Sequence, residues 1–92
     1  TVCQVRNGTP QLSRVTGTGC MTTSLLAACC AANGPSLVSV VAGVMFMGVA
    51  GEIACEYMQP GEGTGSFRVR LIDAVSNLTA RDVWEKGRCV VE

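Results

Sequence analysis

Histidine is missing altogether from this 92-residue chain. A histidine general base and a histidine metal ligand are therefore excluded. Excess charge is missing too, since seven Lys and Arg balance seven Asp and Glu. Nucleic-acid binding draws on clustered basic side chains, so that balance argues against nucleic acid as the main partner. Aromatics are scarce, at 4% of residues. The chain has six cysteines, at 3, 20, 29, 30, 55 and 89, but no C-x-x-C pair and no regular cysteine frame. That spacing suits neither a zinc site nor a disulfide scaffold. Cys20, Cys29, Cys30 and Cys55 lie among Ala, Val and Met, where thiols behave as small apolar groups. Reduced thiols point to the cytoplasm. The chain opens on Thr1 and shows no signal-peptide pattern. Its length corresponds to one domain or part of one.

Charge is also absent from the whole interval between Arg14 and Glu52. Two apolar segments fill it, separated by Asn33-Gly34-Pro35-Ser36. Asn33 tolerates a left-handed backbone, Gly34 suits the position just past a helix, and Pro35 suits a first helical turn. The pattern predicts two antiparallel helices, over 19–32 and 36–58. The first would be about 20 Å long at 1.5 Å per residue, short of a bilayer core of about 30 Å. Polar Thr22, Thr23, Ser24 and Ser39 interrupt the run, and no Trp or Tyr belt flanks it, so no membrane partner is expected. Ser39, Gly43, Ala50 and Ala54 instead make a small-residue face for close helix contact. Helices this apolar on all sides need burial on several of them, more than so short a chain supplies. The sequence reads as part of a larger α/β protein or as a subunit that needs partners.

Outside that interval the elements are short. Val2 to Arg6 alternates apolar and polar residues, which predicts a strand. Asn7-Gly8 signals a tight turn, and Thr9 to Val15 would return as an edge strand despite Pro10, giving a β-hairpin. Gln59 to Gly65 reads as a linker, since Glu62 among Gly61, Gly63 and Gly65 would repel phosphate. Ser66 suits the N-cap of a third helix over 67–77, with Phe67, Leu71, Val75 and Leu78 at helical spacing. Thr79 with Asp82 resembles a capping box and would start a fourth helix ending near Lys86. Cys89-Val90-Val91 suggests a last strand. Glu52 and Glu56, four apart, read as a solvated helix end rather than an acid–base pair. Arg68 and Arg70 read as surface residues, the four Met as core filler, and Trp84 as a packing residue.

One junction carries chemistry. In Val15-Thr16-Gly17-Thr18-Gly19-Cys20, two glycines precede a cysteine at the start of the first predicted helix. A glycine turn there aims unpaired N–H groups at one point, where the helix dipole favours negative charge. Gly17, Thr18, Gly19 and Cys20 are thus candidates for an anion hole, with Cys20 as an adjacent base. Together they suggest phosphoryl transfer. The plainer alternative is a loop-to-helix junction with a structural thiol.

The same residues resemble a known family. Val15-Thr16-Gly17-Thr18-Gly19-Cys20-Met21 is similar to the anion-hole turn of hydroxyethylthiazole kinases, thiamine-salvage enzymes of the ribokinase-like superfamily. Val5-Arg6-Asn7-Gly8-Thr9-Pro10 resembles the hairpin before it. Gly48-Val49-Ala50-Gly51-Glu52-Ile53-Ala54 resembles the family's following helix. Gly63-Thr64-Gly65-Ser66-Phe67-Arg68-Val69 resembles its Gly-Pro-Gly-Ser-Phe loop, with Thr64 in place of proline. Leu71-Ile72-Asp73-Ala74 and Asn77-Leu78 follow in register.

The resemblance implies that residues 1–92 form the C-terminal part of a ribokinase-like three-layer α/β domain, the N-terminal two-thirds being absent. This part would be mostly helical: a β-hairpin, a long helical hairpin and two shorter helices. The implied reaction is ATP-dependent phosphorylation of the primary alcohol of 4-methyl-5-(2-hydroxyethyl)thiazole. Gly17, Thr18, Gly19 and Cys20 would hold the γ-phosphoryl oxygens, Gly17 would also touch the thiazole, and Cys20 would take the hydroxyl proton. Mg²⁺ would bridge the ATP phosphates, held largely by residues outside this chain. The family's arrangement implies a homotrimer in the cytoplasm. A fragment alone could be inactive. The rival class is a non-catalytic helical interaction module, or a degenerate kinase remnant.

Overall fold

The computed structural model describes residues 3–15, 17–34 and 36–91. In chain order the elements are β1 (Cys3–Val5), a 3-10 helix (Pro10–Arg14), α1 (Thr18–Asn33), α2 (Leu37–Glu56), α3 (Thr64–Asn77), α4 (Ala80–Lys86) and β2 (Cys89–Val91). The chain is mostly helical, with one small sheet.

The helical hairpin forms as its sequence implies. Gly34 ends α1 at a φ of 84°, which a side chain would strain, and its N–H donates to the Cys30 carbonyl. Ser36 caps α2, its hydroxyl accepting the Ser39 N–H. Pro35 falls outside the described residues. The small-residue face is used as expected. A Cβ on Gly43 would stand 2.7 Å from Leu26 Cδ2 and 3.1 Å from Leu26 Cα, so only glycine permits this approach of α1 to α2.

The C-terminal half of α2 is the centre of the core. Met47, Ala50 and Ala54 cluster with Phe67, Leu71 and Ala74 of α3 and with Val15. Phe67 and Leu71 are fully buried, and burying such side chains is worth roughly 1.5–3 kcal/mol each. The N-terminal half of α2 is different. Leu37, Val38, Val40 and Val44 are exposed, Val38 to 78%. By length and hydropathy α2 could cross a membrane. Burial of its second half under α3 and the 3-10 helix makes it a core helix here.

Three expectations need correction. Among the described residues no hairpin forms at the N-terminus; Val2 of the expected first strand lies outside them. β1 pairs antiparallel with β2, in the register Cys3–Val91, Gln4–Val90 and Val5–Cys89, and residues 10–14 turn into a 3-10 helix. Pro10 sits at its start, and Thr9 caps it by accepting the Gln11 N–H. The Asn7 side chain serves distant residues rather than a local turn, accepting from the Arg88 N–H at 2.6 Å and donating to the Lys86 carbonyl at 2.8 Å. Second, α3 begins at Thr64, capped by Gly63 backbone alone, so Ser66 lies inside the first turn. Third, Trp84 packs against almost nothing and is 88% exposed. The capping box of α4 does form: Thr79 accepts the Asp82 N–H, and the Asp82 carboxylate accepts the Thr79 N–H.

The loop before α3 is held by Glu62. Its carboxylate accepts from Arg70 Nε and Nη2, both at 3.2 Å, and from the Gln59 N–H at 2.8 Å. The Arg70 hydrogen bonds first, then the Gln59 amide, hold its pKa below the ordinary 4.5. A depressed carboxylate stabilises the fold above its unfolded-state pKa and loses that contribution as pH falls through the folded value. Glu62→Gln is therefore expected to lower the urea midpoint at pH 7. The gap should close as pH falls below about 4.5. Urea titrations of both proteins across pH 2.5–7, a range of roughly two units on either side of that value, check this. An equal gap at every pH would contradict it.

Candidate active site

The junction between Val15 and α1 is anchored on both sides. Val15 is buried in the core, and Met21 packs against the same cluster. Between them, Gly17 takes a left-handed backbone, φ 97° and ψ −3°, and becomes the N-cap of α1. Only glycine adopts that conformation without strain. Thr16 lies outside the described residues.

Gly17 provides no side-chain cap, and the first helical hydrogen bond runs from the Met21 N–H to the Gly17 carbonyl at 3.0 Å. The N–H groups of Thr18, Gly19 and Cys20 consequently precede the helical ladder and have no partner within it. Gly17, Gly19 and Cys20 are exposed. The carbonyls on the other side of the turn are occupied: Thr23 Oγ1 donates to the Gly19 carbonyl and Ser24 Oγ to that of Cys20, both at 3.0 Å. A helix N-terminus, whose first amides lie outside the helical ladder, favours an anion.

The thiols divide by position. All six cysteines remain unbridged, as the spacing implies. Cys20 stands in the first turn of α1, exposed beside the amides. Cys55 is half-buried, its sulfur 3.3 Å from Thr9 Oγ1. Cys89 is exposed, yet local desolvation first, then the neighbouring Cys3 thiol, push its pKa above the ordinary range. Position singles out Cys20 as the thiol beside the first-turn amides of α1.

Other candidates separate from this site. Glu56 is exposed and pairs with Lys86 at 3.2 Å. Glu52 departs from the solvated reading: its side chain is 18% exposed and accepts from Asn7, the Gly8 N–H and the Arg88 guanidinium. Sequence reasoning missed this cluster. The one signal available was a carboxylate one turn inside an apolar helix. Arg68 is exposed, and Arg70 is engaged by Glu62. A cleft of about 400 Å³ opens between α2, α3 and α4, lined by Glu56, Tyr57, Arg70, Asp73 and Asn77 among others. None of residues 17–20 lines it. Among the described residues, no three Asp, Glu or Cys side chains gather as metal ligands.

Known proteins resemble this chain over most of its length. The sequence pattern of the hydroxyethylthiazole kinase family matches residues 1–81. The chain belongs to the hydroxyethylthiazole kinase family. A hydroxyethylthiazole kinase of Alkaliphilus oremlandii is 46% identical over 84 residues, which are 91% of this chain and 31% of that protein. One of Clostridium beijerinckii is 51% identical over 77 residues, 83% of this chain and 27% of that protein. One of Ruminiclostridium cellulolyticum is 46% identical over 87 residues, 95% and 32% of the respective chains. The chain thus spans about a third of the length of the curated relatives it matches. Within this family member, the junction at Gly17–Cys20 and the whole of α1, α2 and α3 fall inside the matched residues.

Proposed function

We propose that this chain is the C-terminal part of a ribokinase-like three-layer kinase domain. Its reaction is transfer of the γ-phosphoryl group of ATP to the primary alcohol of 4-methyl-5-(2-hydroxyethyl)thiazole, in the cytoplasm. The observation that carries this reading is the glycine-headed start of α1, with the amides of Thr18, Gly19 and Cys20 outside the helical ladder and the exposed Cys20 among them, in a chain of this family.

Phosphoryl transfer is mainly positioning and charge stabilisation. The amides of residues 17–20 face the oxygens of the transferring group, where negative charge concentrates. Gly17, lacking a side chain, leaves room for the thiazole ring at the turn. Cys20 takes the proton of the attacking hydroxyl as the new P–O bond forms and the bond to ADP breaks. Among the described residues no three Asp, Glu or Cys side chains gather, so a Mg²⁺ ion would be held largely by the nucleotide phosphates and by residues outside this chain. In this reading the chain contributes the amides and the thiol. In the family reading the nucleotide carries the ion, and the kinase is a homotrimer.

The exposed apolar stretch of α2, Leu37, Val38, Val40 and Val44, supports incorporation into something larger. The rest of the kinase domain covers it in this reading. A non-catalytic interaction module would place another protein there. A coupled assay of ADP release separates the two. The full-length kinase turns over ATP only when the thiazole alcohol is present, and the 92-residue chain alone does not. A full-length protein that binds neither compound would favour the interaction module.

A further inference from the structure

We propose that Cys3 and Cys89 form a paired redox site, joined reversibly into a disulfide that clasps β1 to β2. The inference does not draw on the phosphoryl-transfer reading.

The register of the small sheet brings the two thiols together. β1 and β2 run antiparallel, with Cys3 opposite Val91 and Val5 opposite Cys89. Residues two apart on a strand share a face. Cys3 and Cys89 are therefore diagonal neighbours on one face of the pair. The Arg6 N–H donates to the Arg88 carbonyl at 2.8 Å, which makes residues 6 and 88 a hydrogen-bonded pair. Pairs alternate along an antiparallel ladder. The pairs 5 with 89 and 3 with 91 are thus of the other kind, in which facing side chains stand closer.

Diagonal neighbours are about 7–8 Å apart, with their Cβ atoms somewhat nearer. A disulfide spans about 4.4–6.8 Å between Cα atoms. Two-stranded ribbons twist more than wide sheets, and twist shortens one of the two diagonals. The Cys89 thiol registers the proximity. Desolvation first, then the charge of Cys3 and a hydrogen bond with it, push the Cys89 pKa up. The other four cysteines belong to α1 and α2.

Reagents can reach the pair. Cys89 is exposed and Cys3 half-buried. Cys89 also lines a cleft of about 370 Å³ together with Met45, Val83, Trp84 and Gly87. That is room for a small molecule.

The oxidant is a low-molecular-weight disulfide, RSSR. Cys89 loses its proton to solvent, and its thiolate attacks one sulfur of RSSR. The S–S bond of the reagent breaks and one RS⁻ leaves. The Cys3 thiolate then attacks Cys89 Sγ, the Cys3–Cys89 bond forms, and the second RS⁻ leaves. The two protein thiols give up two electrons and two protons, and RSSR becomes two RSH. Its raised pKa keeps Cys89 mostly protonated near neutral pH. The site therefore closes slowly and answers a sustained change in the thiol–disulfide ratio. The bond closes almost the whole chain into one loop, and long loops gain the most from such a link.

The test incubates the full-length kinase with oxidised glutathione, alkylates the remaining thiols and digests with trypsin without reductant. Cleavage after Arg6 and Arg88 leaves Cys3 and Cys89 on separate peptides, so their union is read as one mass. The Cys3–Cys89 link is expected to be the dominant disulfide among the six cysteines of this chain, and dithiothreitol should remove it. On a non-reducing gel the oxidised protein should run as a single chain. Oxidation should raise the melting temperature by roughly 5–10 °C in wild type and leave Cys3→Ser and Cys89→Ser unchanged. Activity is not the readout, because Cys20 meets the same oxidant. Glutathione held singly on Cys89, chains linked to one another, or a Cys3–Cys89 bond without a rise in melting temperature would each overturn the inference. These results do not depend on ATP turnover, so the kinase reading stands or falls separately.

Discussion

Cys20→Ala in the full-length kinase is expected to lower kcat by about 10²–10⁴-fold, the usual contribution of a positioned general base. Its melting temperature should stay within a degree or two, because Cys20 is exposed and buries nothing that alanine would leave empty. Alanine is also a better helix former than cysteine, which slightly favours the variant fold. The binding constant for ATP should change little, since the amides of Thr18, Gly19 and residue 20 are main-chain groups that survive the substitution. The loss therefore falls in kcat rather than in nucleotide affinity. Cys20→Asp, which restores an anionic base at the same place, should recover a substantial part of the rate. Activity of Cys20→Ala equal to wild type would remove the thiol from the mechanism and leave only the amides.

Gly48→Ala is expected to destabilise the fold by about 1–3 kcal/mol, the range for inserting a methyl group into a packed contact. The new Cβ would meet Asn7 at 2.7–2.9 Å, partly against backbone, so the neighbour cannot yield by rotating a side chain. Residues 7 and 8 must lift from α2. That movement breaks the Asn7 and Gly8 hydrogen bonds to Glu52 and the Arg88 N–H bond to Asn7. Chemical denaturation measures the loss directly. Gly65→Ala serves as the comparison, because a Cβ there meets nothing within 4 Å. Alanine in the first turn of α3 should be neutral or mildly stabilising. Equal stability for Gly48→Ala and wild type would show that the segment is not docked as described.

Much of the helical framework was legible because its signals are local. The break at residues 33–36 carries its own chemistry in Gly34 and Ser36. The pattern of Phe67 and Leu71 selects the buried face of α3, and Thr79 with Asp82 announces α4 within four residues. The N-terminal segment was misread for the opposite reason. Asn7-Gly8 has the local look of a tight turn, yet the Asn7 amide group is satisfied by Glu52 and by residues 86 and 88. Pairing of Val5 with Cys89 joins the two ends of the chain, and no window of neighbouring residues contains both partners. Trp84 was misplaced because aromatic bulk usually marks a core, whereas this residue faces outward on a short helix.

The candidate site divides in the same way. Gly17 at a positive φ and Cys20 in the first turn of α1 follow from glycine placement and helix start, both readable from the order of residues. The platform that α2 offers residues 7–12 was not readable. Gly48, Gly51 and Glu52 look like ordinary helix positions until the partner segment is laid across them. Small residues permit a close approach without saying what approaches.

In the proposed mechanism the amides of the first turn of α1 receive the terminal phosphate of the nucleotide beside Cys20. Amide chemical shifts test it most directly, recorded on ¹⁵N-labelled full-length kinase during titration with a non-hydrolysable ATP analogue and the thiazole alcohol. Thr18, Gly19 and Cys20 are expected to shift together, saturating with the nucleotide, and removing the γ-phosphate by substituting ADP should abolish most of the effect. Saturating nucleotide binding that leaves those three amides unmoved would contradict it.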